Sequence, residues 1–360
     1  MDSIDDEEEA IVRASILTSF FMVPMVLNAT IELGVLDIIH RASVDGGISA
    51  AGIASSISHR NPGAALVLDR MMRLLASHSI LTCSSCTTLD DNRRMTTEKL
   101  YRLAPIGKLF TKDAEGGSMA GFLTFSQHQA ILDIRNHLKD AVLEGGIPFK
   151  MAHGTSVFQY MKADPRLNRA FNAAVSSHST MVTRRILQAY PGFKGLESLV
   201  DVGGGRGTTL SMIMSKYPHI KGINFDLPQV ICSAPPLEGI EHVGGNMFED
   251  EIPRGDAILL KRVCHNWGDD KCSKILQKCH EALPRGGKLI MIESILAETP
   301  DPSEESKYVS QFDNLMLSQH EGKERTEGEF ASLGKESGFA GFEVVCCACA
   351  HWVMEFRKGT

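Results

Sequence analysis

Three glycine-, acid- and amide-bearing segments and one histidine carry the side chains with chemistry to offer. Asp201-Val-Gly203-Gly204-Gly205-Arg-Gly207 follows an apolar strand-like run and precedes a helical one. Glycines there let the backbone turn sharply and approach a ligand, and the start of a helix presents free N–H groups. A dinucleotide loop of the G-x-G-x-x-G kind calls for a third glycine where Thr208 stands; the spacing present is G-x-G-x-G. Asp226 ends the next strand-like run, where a carboxylate can accept both hydroxyls of a ribose. Gly244-Gly245-Asn246-Met247-Phe248 ends another and would set an amide and a soft thioether at the edge and face of an adenine. The loop and Asp226 suit hydride transfer with NAD as well as other nucleotide cofactors. Hydride chemistry does not account for the Asn246-Met247 segment.

Lys261-Arg262-Val263-Cys264-His265-Asn266-Trp267 places a histidine just beyond a strand end, on the same edge as those segments. An imidazole titrates near neutrality and is suited to deprotonating a poor nucleophile such as a phenol, whose pKa is about 10. Glu293, at the end of the following strand, and Glu324, in Gly322-Lys-Glu-Arg-Thr-Glu, are the carboxylates that can hold such a ring. A carboxylate on one ring nitrogen fixes the tautomer and stabilises the imidazolium formed on proton abstraction. Spacing alone does not bring the two acids to the histidine. Cys83-Ser-Ser-Cys86 has zinc-finger spacing and Cys346, Cys347 and Cys349 cluster near the end, but no second pair completes a four-ligand set. We expect no metal and no structural disulfide.

These side chains need a scaffold, and 360 residues suffice for two domains with proper cores. Residues 10–40 carry apolar side chains at helical spacing, followed by helix-like stretches at 49–57 and 62–78, the latter opening on Asn61-Pro62 as cap and first helical residue. Strand-like runs at 80–83 and 99–103 are separated by the polar CSSCTTLDDNRRMTTE. Three helices and a hairpin form a winged-helix pattern. A net charge of −7 leaves no basic surface for nucleic acid, so dimerisation is the expected role. Residues 120–190 read as helical, with a break at 145–148. Strands then follow at 199–202, 223–226, 257–261 and 288–293, with helices at 208–216, 228–233 and 270–283 between them, the grammar of a parallel α/β sheet. Ligands of such sheets sit beyond the carboxyl ends of the strands. Residues 15–27 are the most apolar stretch but are short and interrupted by Pro24, so no bilayer span is expected. The acidic opening MDSIDDEEEA lacks the positive segment of a secretory leader, and a cytoplasmic location is expected.

With Met25-Val-Leu-Asn, Ile31-Glu-Leu-Gly, Leu74-Leu75-Ala76, His137-Leu-Lys-Asp, Gly145-Gly-Ile-Pro-Phe149, Phe171-Asn, His178-Ser-Thr180, Tyr217-Pro, Phe225-Asp-Leu-Pro-Gln-Val-Ile231, Glu281-Ala-Leu-Pro284 and Lys323-Glu-Arg-Thr326, the chain resembles the plant small-molecule O-methyltransferase family typified by caffeic acid O-methyltransferase. The likeness covers nearly the whole chain. It implies an α/β, Rossmann-like class I methyltransferase domain over 116–360, preceded by a helical, winged-helix-like dimerisation domain over 1–115. It further implies S-adenosylmethionine as cofactor, no metal, and a homodimer in which the apolar N-terminal helices interleave. By the same likeness His265 is the catalytic base flanked by Glu293 and Glu324, and Ser179, Gly203, Asp226, Leu227, Asn246, Met247 and Lys261 meet the cofactor. The acceptor pocket falls on Ser126, Ile131, Val157, Leu167, Phe171, Val175, His178, Asn266, Leu315, Met316 and His320.

Departures from the family pattern bear on the substrate. Asn246 and Asn266 stand where Asp is usual, Arg135 and Arg262 replace tryptophans, and the loop Ser318-Gln-His320-Glu-Gly322 is one residue shorter. An amide at Asn266 both donates and accepts, so a neighbouring methoxy or methylenedioxy oxygen can be accommodated. The resemblance thus points to the phenolic hydroxyl of a phenylpropanoid-derived metabolite of lignan, coumarin, flavonoid or hydroxycinnamate type. An alkaloid phenol or an amine is the alternative acceptor, and an NAD-dependent oxidoreductase is the reading from another class.

Overall fold

The computed structural model describes residues 4–43, 46–89 and 95–359; the first three residues of the acidic opening and residues 90–94 of the polar stretch lie outside the described residues. The chain divides into two compact units, one built from the chain up to Ile131 together with Arg166–His178, the other from Leu132–Pro165 and from Ser179 onward.

The first unit opens with α1 (Ile4–Ser19), α2 (Met22–Glu32), α3 (Val35–Ala42), α4 (Ala50–Ser56) and α5 (Ala64–Ser77). Leu27, Ile39, Ile53, Leu68, Met72 and Leu75 form its core with Tyr101. Ser49 caps α4 by accepting the Gly52 N–H at 3.2 Å. The start of α5 differs from the sequence expectation. Gly63, not Asn61, is its N-cap, and the Asn61 side chain closes a turn ahead of it by accepting the Gly63 N–H at 2.9 Å. Asn61-Pro62 therefore approaches the helix rather than beginning it.

β1 (Leu81–Leu89) and β2 (Met95–Leu103) pair antiparallel. Both strands run well into the polar stretch that reads as a separator, because much of this hairpin faces water and keeps no alternating apolar pattern. Its base is tied to α5 by the Tyr101 hydroxyl, which donates to Asp69 Oδ1 at 2.7 Å. Among the described residues no single helix is long and apolar enough to cross a membrane; Asp6–Ser19 and Met22–Glu32 reach that length and composition only as a pair bent by 46°.

The second unit is organised by a seven-stranded sheet in the order β5-β4-β3-β6-β7-β9-β8. β3 (Ser198–Val202), β4 (Lys221–Asp226), β5 (Ile240–Gly244), β6 (Ala257–Lys261) and β7 (Lys288–Glu293) run parallel; β9 (His351–Arg357) inserts antiparallel between β7 and β8 (Gly341–Ala348). Val200, Val202, Leu259, Leu260 and Ile290 are fully buried between the covering helices, as strands buried on both faces require. Neither β8 nor β9 is among the strands expected from the sequence. In β8 half-buried positions alternate with exposed ones along GFEVVCCA, as on an edge strand covered on one face. The strand order reverses between β3 and β6, which makes the end of β3 the switch point of the sheet and the place where a ligand crevice opens.

Candidate active site

The loop leaving β3 is held open by its glycines. Gly203 sits at φ 73° and Gly205 at φ 60°, a region that side chains with a Cβ enter only under strain. A Cβ on Gly203 would also lie 2.9 Å from Val263 Cγ2. The Gly205 N–H donates to Asp226 Oδ2 at 2.8 Å and the Leu227 N–H to Asp226 Oδ1 at 2.7 Å. The carboxylate at the end of β4 is thereby fixed, while each oxygen keeps a lone pair for a ligand. Burial pushes its pKa up against those two backbone donors. The loop is seconded by buried Asn224, whose amide donates to Gly205 O at 3.0 Å.

At the end of β5, Asn246 Oδ1 accepts the Phe248 N–H at 3.0 Å, and the Asn246 N–H donates to Asp250 Oδ2 at 2.7 Å. Met247 packs half-buried against the core beside it, and Leu227 stays exposed. At the end of β6, Lys261 Nζ donates to Ser179 Oγ at 2.7 Å. Burial lowers the Lys261 pKa to about 8, opposed by Asp201, and raises that of buried Asp201 to about 7, opposed by Lys261. Ser179 lies on the helix Pro165–Ala189, whereas Gly203, Asp226, Leu227, Asn246, Met247 and Lys261 stand at or just beyond the carboxyl ends of neighbouring strands.

His265 lies in a single 3-10 turn, Cys264–Asn266, just after β6. The ring is buried, and its Nδ1 is 3.1 Å from Glu324 Oε1. Glu324 is 1% exposed and is steadied by its own N–H, which donates to Asp313 Oδ1 at 2.9 Å. Glu293 lies near the ring as well, and its hydrogen bonds go to the backbone. Its Oε1 accepts the N–H groups of Val263 and Cys264, both at 2.8 Å, so it holds the turn that carries His265. One ligating atom from each of His265, Glu293 and Glu324 lies within 4.8 Å of the others. Their environments push the two acids apart. Burial raises the Glu293 pKa against the pull of His265 and Arg262. For Glu324 burial also acts upward, but the His265 hydrogen bond and the Arg262 guanidinium outweigh it and hold the carboxyl below its ordinary range. Glu324 is therefore the ionised partner of the ring.

Two residues that hold the turn were not among the sequence candidates. Arg325 is fully buried; its Nη1 donates to Cys264 O at 3.1 Å and its Nη2 to Trp267 O at 2.8 Å, while Nε and Nη2 both reach Asp269 Oδ1, at 2.9 and 2.7 Å. Gly322 lies so close to the turn that an added Cβ would fall 2.0 Å from His265 O. The only sequence signal for either is position, inside the segment that also supplies Glu324. Arg262 turns its guanidinium onto Glu324 and over the Phe312 ring, 5.0 Å from its centroid, while Arg135 is exposed.

The expected acceptor residues are spread over both units. In the second, Val157 and Met316 are buried, Leu315 is half-buried, and His320 stacks at 5.0 Å on Phe158. Burial, with His265 adding to it, lowers the His320 pKa to about 4, so that ring is neutral at physiological pH. The Asn266 amide nitrogen donates to Arg262 O at 3.2 Å and Val263 O at 3.4 Å, which leaves its carbonyl oxygen as the group to offer. In the first unit Leu167 is fully buried, Phe171 packs on Phe125 at 5.5 Å and His178 on Phe122 at 5.0 Å. There the Ser126 hydroxyl donates to Leu123 O at 2.8 Å, Ile131 is half-buried and Val175 is 41% exposed.

Comparison with known proteins matches residues 135–340 to the O-methyltransferase domain and residues 16–113 to the O-methyltransferase dimerisation domain. The chain is 48% identical to caffeic acid 3-O-methyltransferase of Catharanthus roseus, over 98% of this chain and 96% of that one. It is likewise 48% identical to esculetin O-methyltransferase of Kitagawia praeruptora, with 98% and 96% of the two chains covered. Among solved structures it superposes on human N-acetylserotonin methyltransferase in complex with SAM with a TM-score of 0.81, at 26% identity and with both chains fully covered.

Proposed function

The chain belongs to the plant family of S-adenosylmethionine-dependent O-methyltransferases, and from that premise we propose that it methylates a phenolic hydroxyl of a phenylpropanoid-type metabolite with His265 as the base. Membership replaces the hydride-transfer reading of the glycine loop. The observation that carries the assignment of the base is the buried His265–Glu324 pair just past the end of β6, neighbour in the sheet to the strand that opens the glycine loop. Glu324 fixes the proton on Nδ1 and leaves Nε2 as the basic atom; once that nitrogen takes the phenolic proton, the same carboxylate stabilises the imidazolium. Glu293 and Arg325 keep the turn in place and so fix the line along which the deprotonated oxygen faces its methyl donor.

The residues present suit the cofactor. The loop past Gly203 is bent into a cradle that a Cβ would strain, Asp226 retains two lone pairs, and Met247 offers a thioether face. Gly203, Asp226, Leu227, Asn246, Met247, Lys261 and Ser179 would hold S-adenosylmethionine, which when bound supplies an electrophilic methyl group on a sulfonium. Gly203→Ala is expected to weaken its binding by on the order of tenfold, because forcing an alanine to positive φ carries roughly 1–2 kcal/mol of strain. Isothermal calorimetry with S-adenosylmethionine checks this, and unchanged affinity would remove the loop from the site.

Hydroxycinnamates, coumarins, flavonoids and lignans are the acceptor classes we propose. A hydroxyl beside the reacting one suits the carbonyl oxygen that Asn266 has left to offer. The homodimer belongs to the same proposal, supported by the dimerisation domain and by Ile11, Leu17, Phe20, Phe21 and Met25, large apolar side chains of α1, α2 and the turn between them that are about half exposed or more. Light scattering at the mass of one chain would set it aside. The reaction is tested by transfer of labelled methyl from S-adenosylmethionine to a panel of those phenols. Labelled product ranks the acceptors; cofactor binding without any product would mean that the acceptor class is wrong.

A further inference from the structure

His265 and Arg262 compete for one oxygen. Nδ1 of the imidazole is 3.1 Å from Glu324 Oε1, and Arg262 Nη1 is 3.0 Å from that same atom. The other carboxylate oxygen, Oε2, is buried and has no hydrogen-bond partner. Arg262 is not an incidental neighbour. Its backbone is in the left-handed region at φ 57°, where a residue with a Cβ is strained, and Nη1 is anchored a second time by Ser294 Oγ at 3.2 Å. Phe312 covers the guanidinium, and the Arg262 side chain is 14% exposed. A permanent cation is thus held on the carboxylate that a proton-accepting imidazole must share.

The neighbouring groups divide as follows. β7 and the residue after it contribute Glu293, bonded to the turn backbone, and neutral Ser294. The helix Glu304–Gln319 and the residue after it contribute Tyr308, whose hydroxyl burial keeps protonated, Asp313, occupied by the Glu324 N–H, and His320, which burial keeps neutral. Arg325 is bound to Cys264 O and Asp269. Glu324 is the carboxylate bonded to the His265 ring and Arg262 the cation bonded to that carboxylate, with Glu293 standing within 4.8 Å as a second buried acid.

We propose that Arg262 is a positioning residue for methyl transfer: by sharing Glu324 Oε1 with His265 it opposes the imidazolium and keeps the ring in its basic form at lower pH. The sign follows from charge. With Arg262 present, protonating His265 gives the trio a net positive charge; with it absent, the same proton yields a neutral Glu324–imidazolium pair. Removing the cation therefore favours the imidazolium. This rests on the assignment of His265 as base, and the experiment separates the two.

Ring-proton NMR titration of the histidines is run on the parent, Arg262→Lys, Arg262→Gln and Arg262→Trp, with the His265 resonance identified by its absence in His265→Gln. Arg262→Trp installs the residue the family pattern carries there, so one neutral variant is expected to fold. Both neutral variants should protonate His265 at a pH about one unit higher than the parent, leaving roughly tenfold less basic form on the acid side, whereas Arg262→Lys should follow the parent. The acid limb of kcat/KM for S-adenosylmethionine and caffeic acid should move by the same amount. A neutral variant that titrates with the parent overturns the proposal. A displaced NMR titration with an unmoved activity limb upholds the coupling and instead removes His265 as the base.

Discussion

His265→Gln is expected to lower kcat by on the order of 10²–10⁴-fold, the span general-base removal usually costs, while S-adenosylmethionine binds within about twofold of the parent. The two halves of this expectation come from different parts of the second unit. Cofactor contacts are assigned to the ends of β3, β4, β5 and β6, where Gly205, Leu227 and Asn246 are held by bonds that do not involve the imidazole. The proton is assigned to a ring whose partner Glu324 stays fixed without it, through Arg262 and through the Asp313 carboxylate that accepts the Glu324 N–H. Glutamine is polar and of similar reach, so the turn closed by Glu293 and Arg325 should survive. Single-turnover methyl transfer and calorimetry on one preparation separate the effects. Turnover near that of the parent would remove the histidine from the mechanism, and joint loss of binding and turnover would point to a collapsed turn instead.

Much of this site is legible in the sequence because its chemistry clusters where strands end. The runs 257–261 and 288–293 fall on β6 and β7 to the residue, and a strand end followed by His265 or terminated by Glu293 needs no tertiary knowledge to be noticed. What each acid does once there is not legible. Glu293 and Glu324 look equivalent from spacing, yet one bonds two backbone N–H groups and the other bonds the ring, a division set by which loop each acid meets in three dimensions. Arg325 is harder still, since the carbonyls of Cys264 and Trp267 that it satisfies lie 61 and 58 residues away and leave no periodic trace. Fold boundaries fail for a related reason. β1 and β2 extend through polar residues because water, not a core, covers much of that hairpin, and periodicity reports only burial.

Arg325→Met should melt well below the parent and lose turnover even where it is folded. The side chain is fully buried, and removing it leaves Cys264 O and Trp267 O without their charged donor. Hydrogen bonds to charged groups contribute about 1.5–3 kcal/mol each, so a loss of roughly 3 kcal/mol is expected, offset only in part by the apolar replacement. For a unit of this size that corresponds to a Tm lower by roughly 5–10 °C. Asp269 adds a pH signature. Burial raises its pKa, but Arg325 and Lys323 outweigh burial and hold it below 3.8. A carboxyl whose folded pKa is depressed stabilises the fold above its unfolded value and loses that contribution as pH falls through the folded one. The parent should therefore lose part of its stability on acidification below pH 3.8, and Arg325→Met should lose less of it. Activity follows from the same clamp, because the carbonyls it holds bracket His265 in the chain, and an ångström of slack in a base costs on the order of 10²-fold. If Arg325→Met melted with the parent and turned over normally, the turn would owe its shape to Glu293 alone.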